Sequence, residues 1–219
     1  MDNQKIIAVI PAYNEAATIA EVIRGLLPHV QGVVVVDDSS KDDTSAKARE
    51  AGAYVIRHEQ NKGYDGSIDD GFKEAANLGA DIIVTCDADG QHRAEDLVRV
   101  CEPVIREETD VSVGQRAHLT RVGETIFAIY TRLRFGIRDP LCGLKAYRRN
   151  VYDSVGHFDT LKSIGTQLMV EAWLKGFRIK TVSITVLPRP DTSRFYAKLF
   201  RANMKILGAA WRIMKLSLH

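Results

Sequence analysis

Short β-branched runs alternate regularly along this chain with segments whose apolar residues recur at helical spacing. Such alternation predicts βαβ units and a mainly parallel sheet. Several runs, such as Ile6–Ile10, Val33–Val36 and Ile82–Val84, are apolar at consecutive positions, which is typical of strands covered on both faces. We therefore predict an α/β fold with helices on both sides of the sheet. The predicted strands are Lys5–Pro11, Gly32–Asp38, Tyr54–His58, Asp81–Asp87 and Asp110–Gly114.

After Gln115 the alternation is less regular. The pattern there predicts a helix over Val122–Phe135, a strand near Leu144–Arg148, a helix over Thr166–Lys175 and a strand over Arg178–Leu187. A chain of 219 residues lies within the size range of one domain. We expect that domain to span 1–190, followed by a basic amphipathic helix over 191–219.

Composition argues against several classes of protein. The formal net charge is only +2, so there is no global charge argument for nucleic-acid binding. The three cysteines, Cys86, Cys101 and Cys142, are odd in number and lack metal-ligand spacing, which disfavours a disulfide framework or a zinc site. Neither a secretory signal nor a run of about 18 apolar residues is visible. These observations predict a cytoplasmic protein with reduced thiols.

Polar clusters follow three of the predicted strands, at Pro11–Glu15, Asp37–Ser40 and Asp87–His92. If the strands are parallel, these clusters lie along the carboxyl edge of the sheet, where ligand crevices form in such folds. Asp87 and Asp89 are two residues apart in extended chain, so both carboxylates can face one way and hold a hard divalent cation. The alternative, that the acidic residues only cap the following helices, stays open for Asp37 and Asp43.

These clusters carry a family resemblance. The succession Ile10-Pro-Ala-Tyr-Asn-Glu15, Val36-Asp-Asp-Ser-Ser40, Asn61-Lys-Gly63 and Asp87-Ala-Asp-Gly-Gln-His92 resembles family 2 glycosyltransferases. The resemblance implies a GT-A fold, a Rossmann-like sheet with a nucleotide sugar at its carboxyl edge, and Mg²⁺ or Mn²⁺ on the diphosphate. The metal ligands it implies are Asp87, Asp89 and Gln91. The implied contacts to the nucleotide sugar are Pro11, Tyr13, Glu15, Asp38, Lys62, Asp87 and Ala88.

Within the family, the chain resembles polyprenyl-phosphate glycosyltransferases in Gly114-Gln-Arg116, in Asp139-Pro-Leu-Cys-Gly143 and in a late strand followed by basic residues. The resemblance makes Arg116, Arg132, Arg189 and Arg194 candidates to face phosphates, and Asp89, Asp139 and Arg116 the catalytic candidates. A phosphate acceptor is already anionic and needs orientation by arginines, whereas a hydroxyl acceptor needs a general base. The Glu-Asp pair that supplies this base in many hydroxyl-directed relatives is missing from Gly165–Glu171. A hydroxyl acceptor with Asp139 as base remains the alternative.

The C-terminal stretch points toward a membrane. Basic residues recur from Arg194 to Lys215, beside an apolar stripe that includes Ile206, Ala210 and Ile213 and is widened by Trp211. A basic amphipathic helix of this kind can lie in a membrane interface, although the same pattern suits a helix packed on the core with a solvated basic face. A second candidate membrane element contains Ile126, Phe127, Ile129 and Tyr130, which could equally belong to the core.

The sequence thus predicts an inverting, metal-dependent hexosyltransferase. Its substrates would be a UDP- or GDP-linked sugar and a polyprenyl phosphate, at the cytoplasmic face of a membrane. Two other classes share parts of the pattern. Asp87-Ala-Asp-Gly resembles the start of haloacid-dehalogenase phosphatases, but here it follows the fourth strand and precedes Gln91. The Val33–Asp38 run resembles a phospho-receiver module, which would leave half of the chain unexplained.

Overall fold

The computed structural model describes residues 4–119, 121–187 and 199–218. Within these ranges it contains seven strands and eight helices. The strands are β1 Ile6–Ala12, β2 Gly32–Asp37, β3 Tyr54–Arg57, β4 Ile82–Thr85, β5 Val111–Arg116, β6 Lys145–Arg148 and β7 Ile179–Ile184. The helices are α1 Ile19–Leu26, α2 Thr44–Glu50, α3 Gly63–Asn77, α4 Ala94–Ile105, α5 Val122–Phe135, α6 Arg149–Val155, α7 Gln167–Leu174 and α8 Leu199–Leu216.

All seven strands form one sheet in the order β3-β2-β1-β4-β6-β5-β7. The pairs β1–β2, β1–β4, β2–β3 and β5–β7 are parallel, and β6 runs antiparallel to both β4 and β5. The predicted mainly parallel α/β sheet is therefore confirmed. The carboxyl ends of β1, β2 and β4 lie at the same edge, next to the amino end of β6, because Thr85 pairs with Lys145.

Two apolar layers cover the sheet, one on each face. Along β1, Ile7 and Val9 pack in one layer, whereas Ile6, Ala8 and Ile10 pack in the other. The first layer is completed by α3, α5, α7 and α8, and the second by α1, α2 and α4. Successive strand residues point to opposite faces, so consecutive apolar residues are required when both faces are buried. This is the physical reason why the valine and isoleucine runs predicted a doubly covered sheet.

The strands and helices predicted before residue 188 are all present, with ends shifted by up to three residues, and the predicted helix Val122–Phe135 coincides with α5. Of the helix predicted over 191–219, the described part is α8. The short helix α6 was not predicted, since it follows β6 without a turn signal and contains the β-branched Val151. The proposed domain boundary at 190 lies outside the described residues.

The C-terminal helix α8 packs on the first layer. Ile206, Ala209, Ala210 and Ile213 are buried there beside Phe127 of α5. The stripe that the sequence offered to a membrane is therefore mostly a core-packing side of the helix. None of the described helices combines the length and the apolar character needed to cross a membrane.

Candidate active site

The loops that follow the parallel strands are joined to one another by hydrogen bonds. After β1, the backbone N–H of Asn14 donates to Ser40 Oγ (2.9 Å), and that of Glu15 donates to Thr44 Oγ1 (2.9 Å). Thr18 Oγ1 donates to the carbonyl of Ala88 after β4 (2.8 Å). The three polar clusters predicted from the sequence thus meet at one edge of the sheet.

The Asp87-Ala-Asp segment lies against the loop before β6. A Cβ added to Gly143 would stand 2.6 Å from Cγ of Asp87, closer than real Cβ contacts allow, so a glycine is required for this approach. On the other side, Nε2 of His92 is 3.4 Å from Oδ2 of Asp87. Burial alone would lower the pKa of His92, but the hydrogen bond and charge of Asp87 hold it above its ordinary value.

Gln91 is held at both its backbone and its side chain. Its Nε2 donates to the carbonyl of Leu187 (2.9 Å), and its carbonyl accepts from the backbone N–H of Leu187 (3.0 Å). The backbone N–H of Gln91 donates to Oδ1 of Asp89 (3.1 Å). These bonds connect the Asp-Ala-Asp segment to Leu187, three residues after the end of β7.

The donor set fits a hard divalent cation. Asp87 and Asp89 are both partly accessible, and Gln91 adds an amide beside them. Carboxylate and amide oxygens are the ligands that Mg²⁺ and Mn²⁺ prefer. Because Gly143 lacks a Cβ, the carboxylate of Asp87 can lie against the loop before β6.

The nucleotide-side candidates occupy the adjoining part of the edge. Pro11 and Glu15 are partly exposed and Tyr13 is exposed. Between them and the next loop, Lys41 N–H donates to Oδ1 of Asn14, a residue with φ of 55°. Asparagine tolerates this left-handed conformation better than most residues, so Asn14 fixes the turn after β1.

Asp38 has a structural role in this arrangement. Its carboxylate accepts from the backbone N–H groups of Lys62 (2.7 Å) and Gly63 (2.8 Å), and it contacts Nδ1 of His58 (2.8 Å). The side chain of Lys62 bonds Asp70 (2.6 Å). Asp38 therefore fixes the beginning of α3 next to the carboxyl edge. Sequence reasoning missed His58, which bridges Asp38 and Asp70, because a lone histidine after a strand gives no signal of its own.

Asp37 is buried and belongs to the framework. It accepts from the backbone N–H of Ser40 (2.8 Å), bonds the hydroxyl of Ser45 and pairs with Arg57 (3.0 Å). Two interpretations of Asp37 were left open, a ligand-binding role and a purely structural role. These bonds favour the structural role.

On the opposite flank of the edge, Arg116 and Asp139 form a two-point ion pair. Nε and Nη2 of Arg116 donate to the two oxygens of Asp139 at 2.8 and 2.9 Å, and its backbone N–H donates to Oδ2 (3.1 Å). Glu124, in the first turn of α5, lies 3.6 Å from Nη2 of Arg116 and pairs with Arg121 (2.9 Å). Burial alone would lower the pKa of Arg116, yet the bond to Asp139 holds it above its ordinary value. Both oxygens of the buried Asp139 are thus already engaged.

Of the other arginine candidates, Arg132 is not brought to this pair. Arg132 lies on α5 eight residues after Glu124, about 12 Å further along the helix, and is exposed. Arg189 and Arg194 lie outside the described residues.

A second cluster near the site, missed by sequence reasoning, fixes the loop 157–166. Asp65 in α3 accepts from the backbone N–H of Gly165 (2.7 Å), and the buried Lys145 donates to the carbonyl of Gly165 (2.6 Å). Asp159 accepts from the same N–H (3.1 Å). Burial, together with the charge of Asp159, raises the pKa of Asp65 to about 6. The lysine at the beginning of β6 was the available signal, since a lysine that a strand carries into the interior needs an acceptor.

Solved structures share this fold. A crystal structure of glucosyl-3-phosphoglycerate synthase from Mycobacterium tuberculosis with phosphoglyceric acid aligns with a TM-score of 0.72 at 21% identity, covering 95% of this chain and 81% of that one. A second structure of that enzyme, with Mn²⁺, UDP and phosphoglyceric acid, aligns with a TM-score of 0.70 at 20% identity and covers 95% and 79%. The fold, with acidic loops at its carboxyl edge, is that of the GT-A glycosyltransferases.

The family model for glycosyl transferase family 2 matches residues 7–156. The chain belongs to this family and is a glycosyltransferase. The sequence-based resemblance to the family is confirmed, and the phosphatase and receiver alternatives are set aside.

Curated relatives also bear out the resemblance to polyprenyl-phosphate enzymes. A UDP-N-acetylglucosamine–dolichyl-phosphate N-acetylglucosaminyltransferase of Methanococcus voltae is 34% identical over 180 residues, covering 68% of this chain and 72% of the relative. A dolichol-phosphate mannosyltransferase of Pyrococcus furiosus is 30% identical over 203 residues, covering 82% of this chain and 55% of the relative. An undecaprenyl-phosphate mannosyltransferase of Micrococcus luteus is 27% identical over 208 residues, covering 84% of each.

Proposed function

We propose that this protein transfers a sugar from a UDP- or GDP-linked donor to a polyprenyl phosphate, with inversion at the anomeric carbon. The observation that carries the donor side is the convergence of the Asp-Ala-Asp segment with the loops after β1 and β2. The acceptor is suggested by three relatives whose names contain dolichyl, dolichol or undecaprenyl phosphate. Such an acceptor resides in a membrane, so the proposed reaction takes place at a membrane surface. We propose that this is the cytoplasmic face.

On the donor side, Pro11, Tyr13 and Glu15 would contact the base and ribose. Tyr13 is exposed, so its ring is available for stacking. Asp38 would act mainly by fixing the beginning of α3, with the backbone at Lys62 and Gly63 next to the nucleotide. Ala88, whose carbonyl accepts from Thr18, ties this part of the site to the loop after β1.

Asp87, Asp89 and Gln91 would hold Mg²⁺ or Mn²⁺, in keeping with the Mn²⁺ and UDP bound in a structure of the same fold. When bound, the cation neutralises charge on the leaving diphosphate. The chain's own contribution is to keep the ligands in place. Gly143 leaves room for the carboxylate of Asp87, and the bond from Gln91 to Leu187 fixes the amide.

On the acceptor side, Arg116 would orient the attacking phosphate. Two of its donors are engaged by Asp139, which therefore acts as a positioning residue that sets the direction of the guanidinium. A phosphate monoester is already anionic, so the attacking oxygen needs no proton removed. Arg189 and Arg194 remain candidates for the same phosphate. They follow Leu187 in the sequence, which is the residue that Gln91 anchors.

The test is nucleotide release from UDP- and GDP-linked sugars with Mn²⁺, with and without a short-chain polyprenyl phosphate. We expect release that the lipid phosphate stimulates, and a product whose anomeric configuration, measured by NMR, is inverted. Stimulation by hydroxyl-bearing saccharides alone would keep the glycosyltransferase and overturn the acceptor.

Two substitutions make the metal assignment falsifiable. Asp89→Asn should reduce turnover by roughly 10²-fold or more, because a ligand to the cation is lost. The matched control is Asp81→Asn. Asp81 directly precedes β4, at the end of the strand away from the site, so this variant should leave turnover within about twofold. Equal activity in both variants would refute the role of Asp89.

A further inference from the structure

Helix α5 presents an apolar stripe to solvent. Val122, Ile126, Ile129 and Leu133 are 71%, 49%, 55% and 83% exposed, and their 4-3-4 spacing puts them on one side of the helix. The opposite side of α5 buries Phe127 in the core. The buried side already accounts for the packing of α5 on the core. Core packing therefore does not explain the exposed apolar stripe.

Helix α8 continues this surface. Met204 and Trp211 are seven residues apart and are 54% and 60% exposed, on the side opposite to the buried Ile206 and Ile213. The two helices pack together, with the N–H of Gly123 donating to Oδ1 of Asn203 (2.9 Å). Because both bury their inner sides in the same layer, their outward sides are neighbours. We call these six exposed side chains, four on α5 and two on α8, the α5/α8 outer face.

The exposed charges carried by α5 and α8 are of one sign. No acidic residue occurs after Asp191, and the only one in α5 is Glu124, which is buried and paired with Arg121. The exposed charged side chains on these two helices are basic, and Lys215 lies over the ring of Trp211 at 5.9 Å. They are Arg132, Arg134, Arg201, Lys205 and Lys215.

We propose that the α5/α8 outer face docks on an anionic lipid surface, with the α5 stripe entering the headgroup region. Aliphatic side chains flanked by cations and a tryptophan match the chemistry of such an interface. A second copy of this chain fits less well, since a two-fold contact of this surface with itself would bring like charges together. Arg132 would then contact lipid phosphates outside the cleft.

This inference rests on the proposed function for its purpose, because docking in this orientation brings the site to a membrane-bound acceptor. Glu124, in the first turn of α5, contacts Arg116 (3.6 Å), so the docking helix begins at the acceptor side of the site. Arg212 of α8 donates to the carbonyl of Lys162 (2.8 Å) in the loop 157–166. Both helices therefore touch the walls of the site.

The experiment is flotation of the full chain with vesicles of phosphatidylcholine, with and without phosphatidylglycerol, at low and high salt. We expect binding that needs the anionic lipid and weakens with salt. The double variant Ile129→Glu/Leu133→Glu should bind at least about tenfold more weakly. The control Val98→Glu/Leu174→Glu adds the same charge at exposed apolar positions of α4 and α7, and should bind as the unaltered protein does.

Failure of the docking proposal can be distinguished from failure of the proposed function. If docking is right, the Ile129→Glu/Leu133→Glu variant keeps transfer to a dispersed short-chain polyprenyl phosphate and loses transfer to acceptor embedded in vesicles. Vesicle binding without transfer to any lipid phosphate would overturn the acceptor and leave docking supported. No binding to anionic vesicles at low salt, or a dimer that the same variant dissociates, would overturn docking.

Discussion

Gly143 is important to the site because it has no side chain. The carboxylate of Asp87 occupies the space that a Cβ at this position would need. We predict that Gly143→Ala displaces Asp87 and reduces turnover by roughly 10²-fold, with weaker activation by Mn²⁺. Activity titrated against Mn²⁺ measures both effects.

A matched glycine separates this effect from loss of folding. Gly25, in the exposed side of α1, has no atom within 4 Å of an added Cβ. Gly25→Ala should leave activity unchanged and raise stability by up to about 1 kcal/mol, because alanine favours the helix. Full activity of Gly143→Ala at every Mn²⁺ concentration would contradict the assignment.

Asp65 gives the protein a defined pH dependence. Its pKa is raised from 3.8 to about 6, so the folded state binds a proton more tightly than the unfolded state does. Its contribution to stability is therefore fully present below pH 3.8 and is lost as the pH rises through about 6. Ionised Asp65 thus lowers the free energy of unfolding at neutral pH.

Asp65→Asn removes this titration while keeping an amide oxygen that can accept from Gly165. We predict that the variant melts at a higher temperature than the unaltered protein at neutral pH, and that the difference shrinks toward pH about 4. Melting curves across this range test it. A variant that is less stable by the same amount at every pH would show that Asp65 acts only through its hydrogen bonds.

At the scale of elements, α8 has two functional sides. Ile213 is fully buried on the inner side, whereas Met204 is exposed on the outer side. Ile213→Ala should lower the free energy of unfolding by about 2–4 kcal/mol because it leaves a cavity, and Met204→Ala by less than about 0.5 kcal/mol. Chemical denaturation measures both. Equal losses would mean that α8 does not share the core.

The helix pair also shows why the pattern alone left open whether the apolar side of α8 faces a membrane or the core. Ile206, Ala210 and Ile213 follow helical spacing, as a membrane-facing stripe would, but α5 and the sheet cover them. Spacing shows that a helix has an apolar side and does not show what that side faces. The same limit applied to Ile126 and Phe127, which are adjacent in sequence, the first exposed and the second buried.

At the scale of the whole molecule, the carboxyl edge of the sheet organises the site. Loops after β1, β2 and β4 are close because the strands are parallel neighbours, and β6 adds Gly143 because it runs the other way. The antiparallel insertion of β6 between β4 and β5 is thus what brings the Asp139–Gly143 segment to the Asp-Ala-Asp motif. No local pattern in the sequence predicts this pairing of strands.

The doubly covered, mainly parallel sheet, the strand-end clusters and the family could all be predicted from the sequence alone. These properties depend on local periodicity and on the chemistry of short motifs, which a single chain displays directly. Three features became known only from the fold: Asp139 engages Arg116, Asp65 and Lys145 fix the loop 157–166, and one particular side of α8 faces outward. Those contacts join residues far apart in the chain, so the packing of the elements, and no spacing along the sequence, selects them.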